Sequence, residues 1–116
     1  MKKIVVFCGS SQGHNTIYKE AAVTLANYFS KHNIALIYGG GKIGLMGIIA
    51  DTLLAKKGEV IGIIPSLLDK KEVIHTGVEE MIVCKTMSER KVIMSKLTNG
   101  YIALPGDFGS LDELFE

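Results

Sequence analysis

A glycine-rich turn near the end of the sequence carries the residue types that bind phosphate. Residues 105–110, PGDFGS, follow the apolar stretch 101–104 and precede a helical pattern. Backbone N–H groups at a helix N-terminus, the positive end of the helix dipole and the Ser110 hydroxyl favour an anion, and Gly106 and Gly109 allow its close approach. The alternative is that these glycines only form a tight strand-to-helix turn.

Three carboxylates, those of Asp112, Glu113 and Glu116, follow this turn. Helical spacing places them in the first turns of one helix, so anion binding and acid–base chemistry could share one site. The alternative is that the acids only complement the helix dipole.

A second glycine run follows the apolar stretch 36–38. Gly39, Gly41 and Gly44 satisfy the pattern G-x-G-x-x-G, and Gly40 lies between the first two. A third small-residue turn, containing Gly9 and Ser10, follows the stretch 4–7. Because the carboxyl ends of parallel strands share one edge of a sheet, three such turns favour a ligand that carries phosphate.

The order of the motifs argues against a dinucleotide. The dinucleotide fingerprint normally follows the first strand and requires an acidic residue at the end of the next strand. Here the triple glycine follows the second strand, and the next strand, 60–64, ends at Pro65 and Ser66. No G-x-x-x-x-G-K-[ST] string occurs. A mononucleotide or a sugar phosphate remains.

The segment 86–94 offers a further candidate. Thr86 can cap a helix, Glu89 can complete a capping box, and Met87 and Arg90 lie on neighbouring helix faces. Arg90 could reach the same edge of the sheet and neutralise a phosphate or a developing charge. Periodicity alone favours the alternative, a solvated helix face carrying Arg90 and Lys91.

The pattern of short β-rich runs and helices predicts an α/β fold, a doubly wound, mostly parallel, Rossmann-like sheet. Residues 1–116 form one domain with enough apolar residues for a core. The predicted strands are 3–8, 34–38, 59–64, 80–84 and 101–104, and the predicted helices are 15–31, 44–57, 86–97 and one beginning near 108. Because the sequence stops within that last helix, it is expected to be truncated relative to its fold.

Composition excludes several classes of function. A net charge of +1 offers no electrostatic case for a nucleic acid or a membrane. Cys8 and Cys84 do not make a disulfide or metal framework, which predicts a reducing, cytoplasmic setting. The scattered histidines lack ligand spacing, so surface or capping roles are expected and no metal is predicted; they are His14, His32 and His75.

Together these motifs resemble the LOG ("Lonely Guy") family of nucleoside 5′-monophosphate phosphoribohydrolases. The resemblance covers essentially the whole sequence and lies in YGGG with GLMG at 38–47, M-x-x-RK at 87–91 and LPG-x-x-GS-x-x-E at 104–113. Cys8-Gly9-Ser10-Ser11 and residues 60–65 also resemble the first and third strands of that family.

The resemblance implies hydrolysis of the N-glycosidic bond of AMP or of cytokinin riboside monophosphates, giving the free base and ribose 5-phosphate, by a homodimer or larger assembly. It makes Arg90 and Glu113 catalytic and implies no cofactor. The residues implied to bind the nucleoside monophosphate are Gly9, Ser10, Gly39, Gly40, Gly41, Gly44, Met87, Lys91, Gly106, Asp107, Gly109, Ser110 and Glu116. The alternatives are a nucleotide-binding module without turnover and a structural or interaction role.

Two residues depart from the family pattern PGGxGTxxE. Ser110 replaces threonine and keeps the hydroxyl, whereas Asp107 replaces a glycine and adds a carboxylate. That carboxylate could face the phosphate or could cap the helix. Relatives are sometimes labelled lysine decarboxylases, but no lysine in this sequence has the context of a Schiff base with pyridoxal phosphate.

Overall fold

The structure is a computed structural model, and it describes residues 2–7, 16–40, 44–68, 74–75 and 77–103. Strands and helices alternate along these residues. The strands are β1 (Lys2–Phe7), β2 (Ile34–Tyr38), β3 (Val60–Pro65), β4 (Glu80–Cys84) and β5 (Gly100–Ala103). The α-helices are α1 (Thr16–Lys31), α2 (Gly44–Ala55) and α3 (Met87–Leu97), and a short 3-10 helix spans Ser66–Leu68.

The five strands form one sheet in the order β4-β3-β2-β1-β5, and every neighbouring pair is parallel. This arrangement confirms the predicted α/β fold with a parallel sheet. The chain adds β2, β3 and β4 on one side of β1 and then crosses to place β5 on the other side. The point at which this order reverses therefore lies between β1 and β5.

Helices cover both faces of the sheet because its strands alternate apolar side chains between them. Val6, Leu36 and Tyr38 pack in one buried cluster with residues of α1 and α2. Val5 and Ile37, their immediate neighbours, pack instead in a second cluster with Met94 of α3 and other residues. The sheet is thus buried between two layers, as expected for parallel strands.

Helix α2 ends two residues before its predicted end. Lys57 has a φ of 60°, a left-handed conformation that a helix cannot continue. The Lys57 N–H donates to the carbonyl of Leu54 at 2.9 Å, and the Gly58 N–H donates to the carbonyl of Leu53 at 2.9 Å. These bonds use carbonyls that the end of the helix leaves open, so the capping turn sets the boundary.

Helix α3 is anchored at both ends. At its start, the Thr86 hydroxyl accepts from the Glu89 N–H at 3.1 Å, which confirms Thr86 as the cap. At its end, the Thr98 hydroxyl accepts from the Val5 N–H at 3.2 Å, and the Asn99 N–H donates to the Lys3 carbonyl at 2.7 Å. These bonds fix the position of α3 relative to β1.

The other predicted elements have nearly the predicted bounds. Strands β2 and β4 coincide with the predicted ranges. Strands β1, β3 and β5 are shifted by one residue at both ends, and α1 and α3 begin one residue later than predicted. The helix predicted from residue 108 lies outside the described residues. Within the described ranges, no helix is long and apolar enough to cross a membrane.

Candidate active site

The carboxyl ends of β1 and β5 lie side by side where the strand order reverses. Phe7, the last residue of β1, pairs with Ala103, the last residue of β5. The rings of Phe7 and Tyr101 stack with centroids 5.9 Å apart. In an open parallel sheet this position is where ligands bind.

Several predicted site residues belong to the two segments that continue from these strand ends or to the turn before α2. They lie outside the described residues and remain predictions: Gly9, Ser10, Gly41, Gly106, Asp107, Gly109, Ser110, Glu113 and Glu116. The described part of the predicted site comprises Gly39, Gly40, Gly44, Met87, Arg90 and Lys91.

The guanidinium of Arg90 lies directly against the backbone of Gly39. A methyl group added to Gly39 would lie 1.7 Å from Arg90 Nη2 and 3.0 Å from its Cζ. Only a residue without a side chain leaves room for the guanidinium there. The structure thus brings together two predicted site residues that are 51 positions apart in the sequence.

Arg90 points inward from α3, and its Nε atom is buried. The Nη1 atom approaches Met87 Sδ at 3.5 Å, one helical turn earlier. Arg90 therefore does not form part of a solvated helix face, which corrects the interpretation that periodicity alone favoured. The capped start of α3 places its guanidinium over the carboxyl end of β2.

Gly40 has a backbone conformation that glycine adopts readily and other residues rarely do. Its φ is +82°. A methyl group at Gly40 would lie 2.8 Å from Met81 Sδ, and the same sulfur would lie 2.5 Å from a methyl group at Gly62. The Met81 side chain therefore occupies space that two glycines leave, and it packs against the backbone of the turn at Gly40.

The remaining described residues of the predicted site lie nearby in the chain. Gly44 begins α2, Met87 begins α3 with an exposed side chain, and Lys91 is half-buried next to Arg90. The structure thus gathers the starts of two helices and the end of β2 at one edge of the sheet.

Sequence reasoning missed two residues that contact this region. His75, expected to have a surface or capping role, contacts Asp51 of α2 through its imidazole and Gly40 through its backbone N–H. No periodicity or spacing pattern links positions 51 and 75, so this pair could not be predicted from the sequence.

A cavity of about 540 Å³ lies at the amino ends of β2, β3 and β4, opposite the carboxyl ends where the predicted site lies. It is lined by both basic and acidic side chains, including Lys56, Lys57, Glu59 and Glu79. None of the described residues of the predicted site lines it. Within the described part of the chain, no cluster of three or more His, Cys, Asp or Glu residues could hold a metal ion.

More than half of the chain matches the model of one protein family. The model of a protein family described as "Possible lysine decarboxylase" matches residues 46–116. Curated proteins that match this chain almost end to end carry the name LOG. The chain belongs to the LOG family. The resemblance found in the glycine and Met-x-x-Arg-Lys motifs is thereby confirmed.

Curated relatives of this LOG-family chain match it almost end to end. It is 43% identical over 115 residues to "Cytokinin riboside 5′-monophosphate phosphoribohydrolase LOG2" of Arabidopsis thaliana, covering 99% of this chain and 54% of that protein. It is 45% identical to the LOG3 protein of the same plant, with the same coverage. The chain spans about half the length of the curated relatives it matches.

Solved structures support the LOG-family fold. The Moco carrier protein from Chlamydomonas reinhardtii superposes with a TM-score of 0.78 at 22% identity, covering 97% of this chain and 67% of that one. The molybdenum cofactor binding protein from Rippkaea orientalis superposes with a TM-score of 0.80 at 22% identity, covering 97% and 68%. At this identity the likeness shows a shared fold alone.

Proposed function

We propose that this protein hydrolyses the N-glycosidic bond of nucleoside 5′-monophosphates, AMP or an N6-prenylated AMP, and releases the free base and ribose 5-phosphate. The names of the curated relatives support this reaction class. The observation that carries the proposal is the contact between Arg90 and Gly39, because it joins two separate motifs at the edge of the sheet where ligands bind.

The proposed reaction places one water molecule at C1′ of the ribose. As the bond between C1′ and the base breaks, the ribose gains oxocarbenium character, and the oxygen of water bonds to C1′. The Glu113 carboxylate stabilises the positive charge and accepts a proton from the water, while the leaving base gains a proton. Arg90 holds the substrate or offsets negative charge on the phosphate.

The direct test is incubation of the purified protein with AMP and, separately, with its N6-prenylated form. We expect free adenine or prenylated adenine and ribose 5-phosphate in equal amounts, measured by chromatography. Nucleotide binding without release of base would contradict hydrolysis and would favour the alternative of a nucleotide-binding module.

We further propose that the protein is cytoplasmic and acts as a homodimer. The resemblance supports the dimer, and the sparse cysteines support a reducing compartment. One of them, Cys84, is a buried free thiol. Light scattering after size-exclusion chromatography would measure the mass in solution, and a monomer would contradict the dimer.

Replacing Gly39 with alanine should lower hydrolysis of AMP at least tenfold, about 1.4 kcal/mol in the barrier. The new methyl group would overlap Arg90 Nη2 and force the guanidinium away from the turn. The melting temperature should change little, because the overlap involves the end of a flexible side chain.

A matched control is Gly100→Ala in β5. A methyl group there would meet Ile4 Cδ1 at 3.4 Å, an ordinary contact. Gly100 begins β5, so it lies at the amino ends of the strands, away from the predicted site. Gly100→Ala should therefore keep the parent rate. Equal rates for Gly39→Ala and the parent would show that the contact of the Arg90 guanidinium with Gly39 is unimportant for turnover.

Replacing Asp107 with glycine should leave the affinity for AMP unchanged and lower stability by a few tenths of a kcal/mol. We expect Asp107 to cap the following helix, because Asp is a favoured cap and the N–H groups of Gly109 and Ser110 need acceptors with or without ligand. Titration calorimetry with AMP and thermal melts of both proteins measure the two effects.

The competing arrangement directs the Asp107 carboxylate at the bound phosphate. Two like charges at about 4 Å repel by about 4 kcal/mol at an effective dielectric of 20. Removing the Asp107 carboxylate would therefore strengthen the binding of AMP. Tighter binding of AMP by Asp107→Gly, together with unchanged thermal stability, would therefore contradict the capping role.

A further inference from the structure

A histidine–aspartate pair lies beside the glycine turn, outside the residues assigned to the proposed reaction. The imidazole Nε2 of His75 contacts Oδ1 of Asp51, which lies on α2. The His75 side chain is 12% exposed, whereas that of Asp51 is 67% exposed. The aspartate thus reaches from the helix surface to an imidazole that is mostly enclosed.

The hydrogen bonds of His75 assign its tautomer. The Gly77 N–H donates to His75 Nδ1 at 3.0 Å, so Nδ1 acts as an acceptor and carries no proton. The proton is then on Nε2, which donates to the Asp51 carboxylate. A methyl group at Gly77 would lie 2.9 Å from His75 Cε1, so the glycine leaves the space in which the ring fits.

The backbone of His75 connects this pair to the glycine turn. Its N–H donates to the carbonyl of Gly40 at 2.8 Å. Gly40 is the glycine with a φ of +82°, and the Met81 side chain fills the space beside it. Gly40 is therefore held by a hydrogen bond from His75 and by packing against Met81.

The Asp51 charge also acts on the residue that precedes the turn. Burial raises the pKa of the Tyr38 hydroxyl, and the negative charge of Asp51 raises it further. Tyr38 consequently stays protonated, so the carboxylate of Asp51 faces a neutral phenol and a neutral imidazole. Because the Tyr38 phenol carries no negative charge, it does not repel the Asp51 carboxylate from its contact with His75.

We propose that Asp51 and His75 are positioning residues that hold the glycine turn in its nucleotide-binding shape. Asp51 orients the imidazole, the oriented imidazole and Gly77 fix the backbone at position 75, and that backbone fixes Gly40. This inference rests on the proposed function, because the turn is assigned to the nucleotide through it. A turn ordered before binding spares the ligand the entropic cost of ordering glycines.

The informative variant is Asp51→Ala, since position 51 is an exposed helix position where alanine is well tolerated. Without nucleotide, we expect peptides covering residues 38–45 and 74–78 to exchange amide hydrogens about tenfold faster than in the parent. With AMP, we expect KM to rise about tenfold while kcat stays within about twofold, because preorganisation of binding is lost and the reacting groups are not.

Two substitutions of His75 separate its contacts. The amide of His75→Gln can reach Asp51 as Nε2 does, and that of His75→Asn can accept from Gly77 as Nδ1 does. We expect His75→Gln to retain most of the protection from exchange and the low KM, and His75→Asn to lose both. Thermal melts accompany each variant, and Glu59→Ala, which removes an exposed acid at the other edge of the sheet, should behave as the parent.

Parent-like exchange and KM in Asp51→Ala would overturn the proposal. Faster exchange with an unchanged KM would also overturn it, because the pair would then hold the turn without serving the nucleotide. A parent protein that releases no base from AMP would instead contradict the proposed function. In that case the exchange experiment, together with the dissociation constant for AMP, still decides whether the pair positions a nucleotide-binding turn.

Discussion

Replacing Glu113 with glutamine is expected to abolish release of adenine from AMP, by a factor of about 10²–10⁴, while AMP still binds with nearly parent affinity. Glutamine keeps the shape of the side chain but removes the negative charge and the proton acceptor that the transition state requires. An interaction needed mainly in the transition state affects turnover more than ground-state binding.

Chromatographic measurement of adenine and calorimetric titration with AMP check the two parts of this prediction. Parent-like turnover in Glu113→Gln would show that Glu113 is not catalytic. Asp112→Asn tests the neighbouring carboxylate in parallel. Loss of turnover in that variant, with activity retained in Glu113→Gln, would move the catalytic role by one residue.

The fold follows from local features of the sequence to a large extent. Short runs rich in Ile and Val predict buried strands, and glycine turns after three of those runs predict the edge at which a ligand binds. The end of α2 was predicted two residues late. Lys57 adopts a left-handed conformation in a capping turn. A glycine at this position would predict such a turn, whereas a lysine does not.

The direction of Arg90 could not be predicted from the period of α3. Its neighbours in sequence include Glu89 and Lys91, which are typical of a solvated face. The guanidinium turns inward because Gly39, which follows β2, has no side chain and leaves space for it. From the residues alone Arg90 is one candidate for neutralising a phosphate, and only the family resemblance makes it catalytic. The structure supplies the physical reason why the two motifs lie together.

The contact between His75 and Asp51 illustrates a different limit. Histidine and aspartate are common surface residues, and a loop position paired with a helix position has no characteristic spacing. The pairing depends on His75, which lies between β3 and β4 in the sequence, coming into contact with α2, and this contact is a property of the tertiary structure.

Replacing Arg90 with alanine should lower turnover of AMP at least tenfold, about 1.4 kcal/mol in the barrier, and lysine should rescue it only in part. The guanidinium presents two nitrogens to different neighbours, Nη2 to Gly39 and Nη1 to Met87. A single ammonium cannot occupy both positions. Full activity of Arg90→Lys would remove this argument, and Lys96→Ala, an exposed cation at the far end of α3, is the matched control.

A double-mutant cycle connects Arg90 with Gly39. If Gly39→Ala acts by displacing the guanidinium, it has nothing left to displace once Arg90 is alanine. The double variant should then turn over AMP at the rate of Arg90→Ala alone, so the two effects are strongly non-additive. Additive losses would show that Gly39 affects turnover independently of Arg90, for example through the nucleotide itself, and would separate the two motifs that their contact joins.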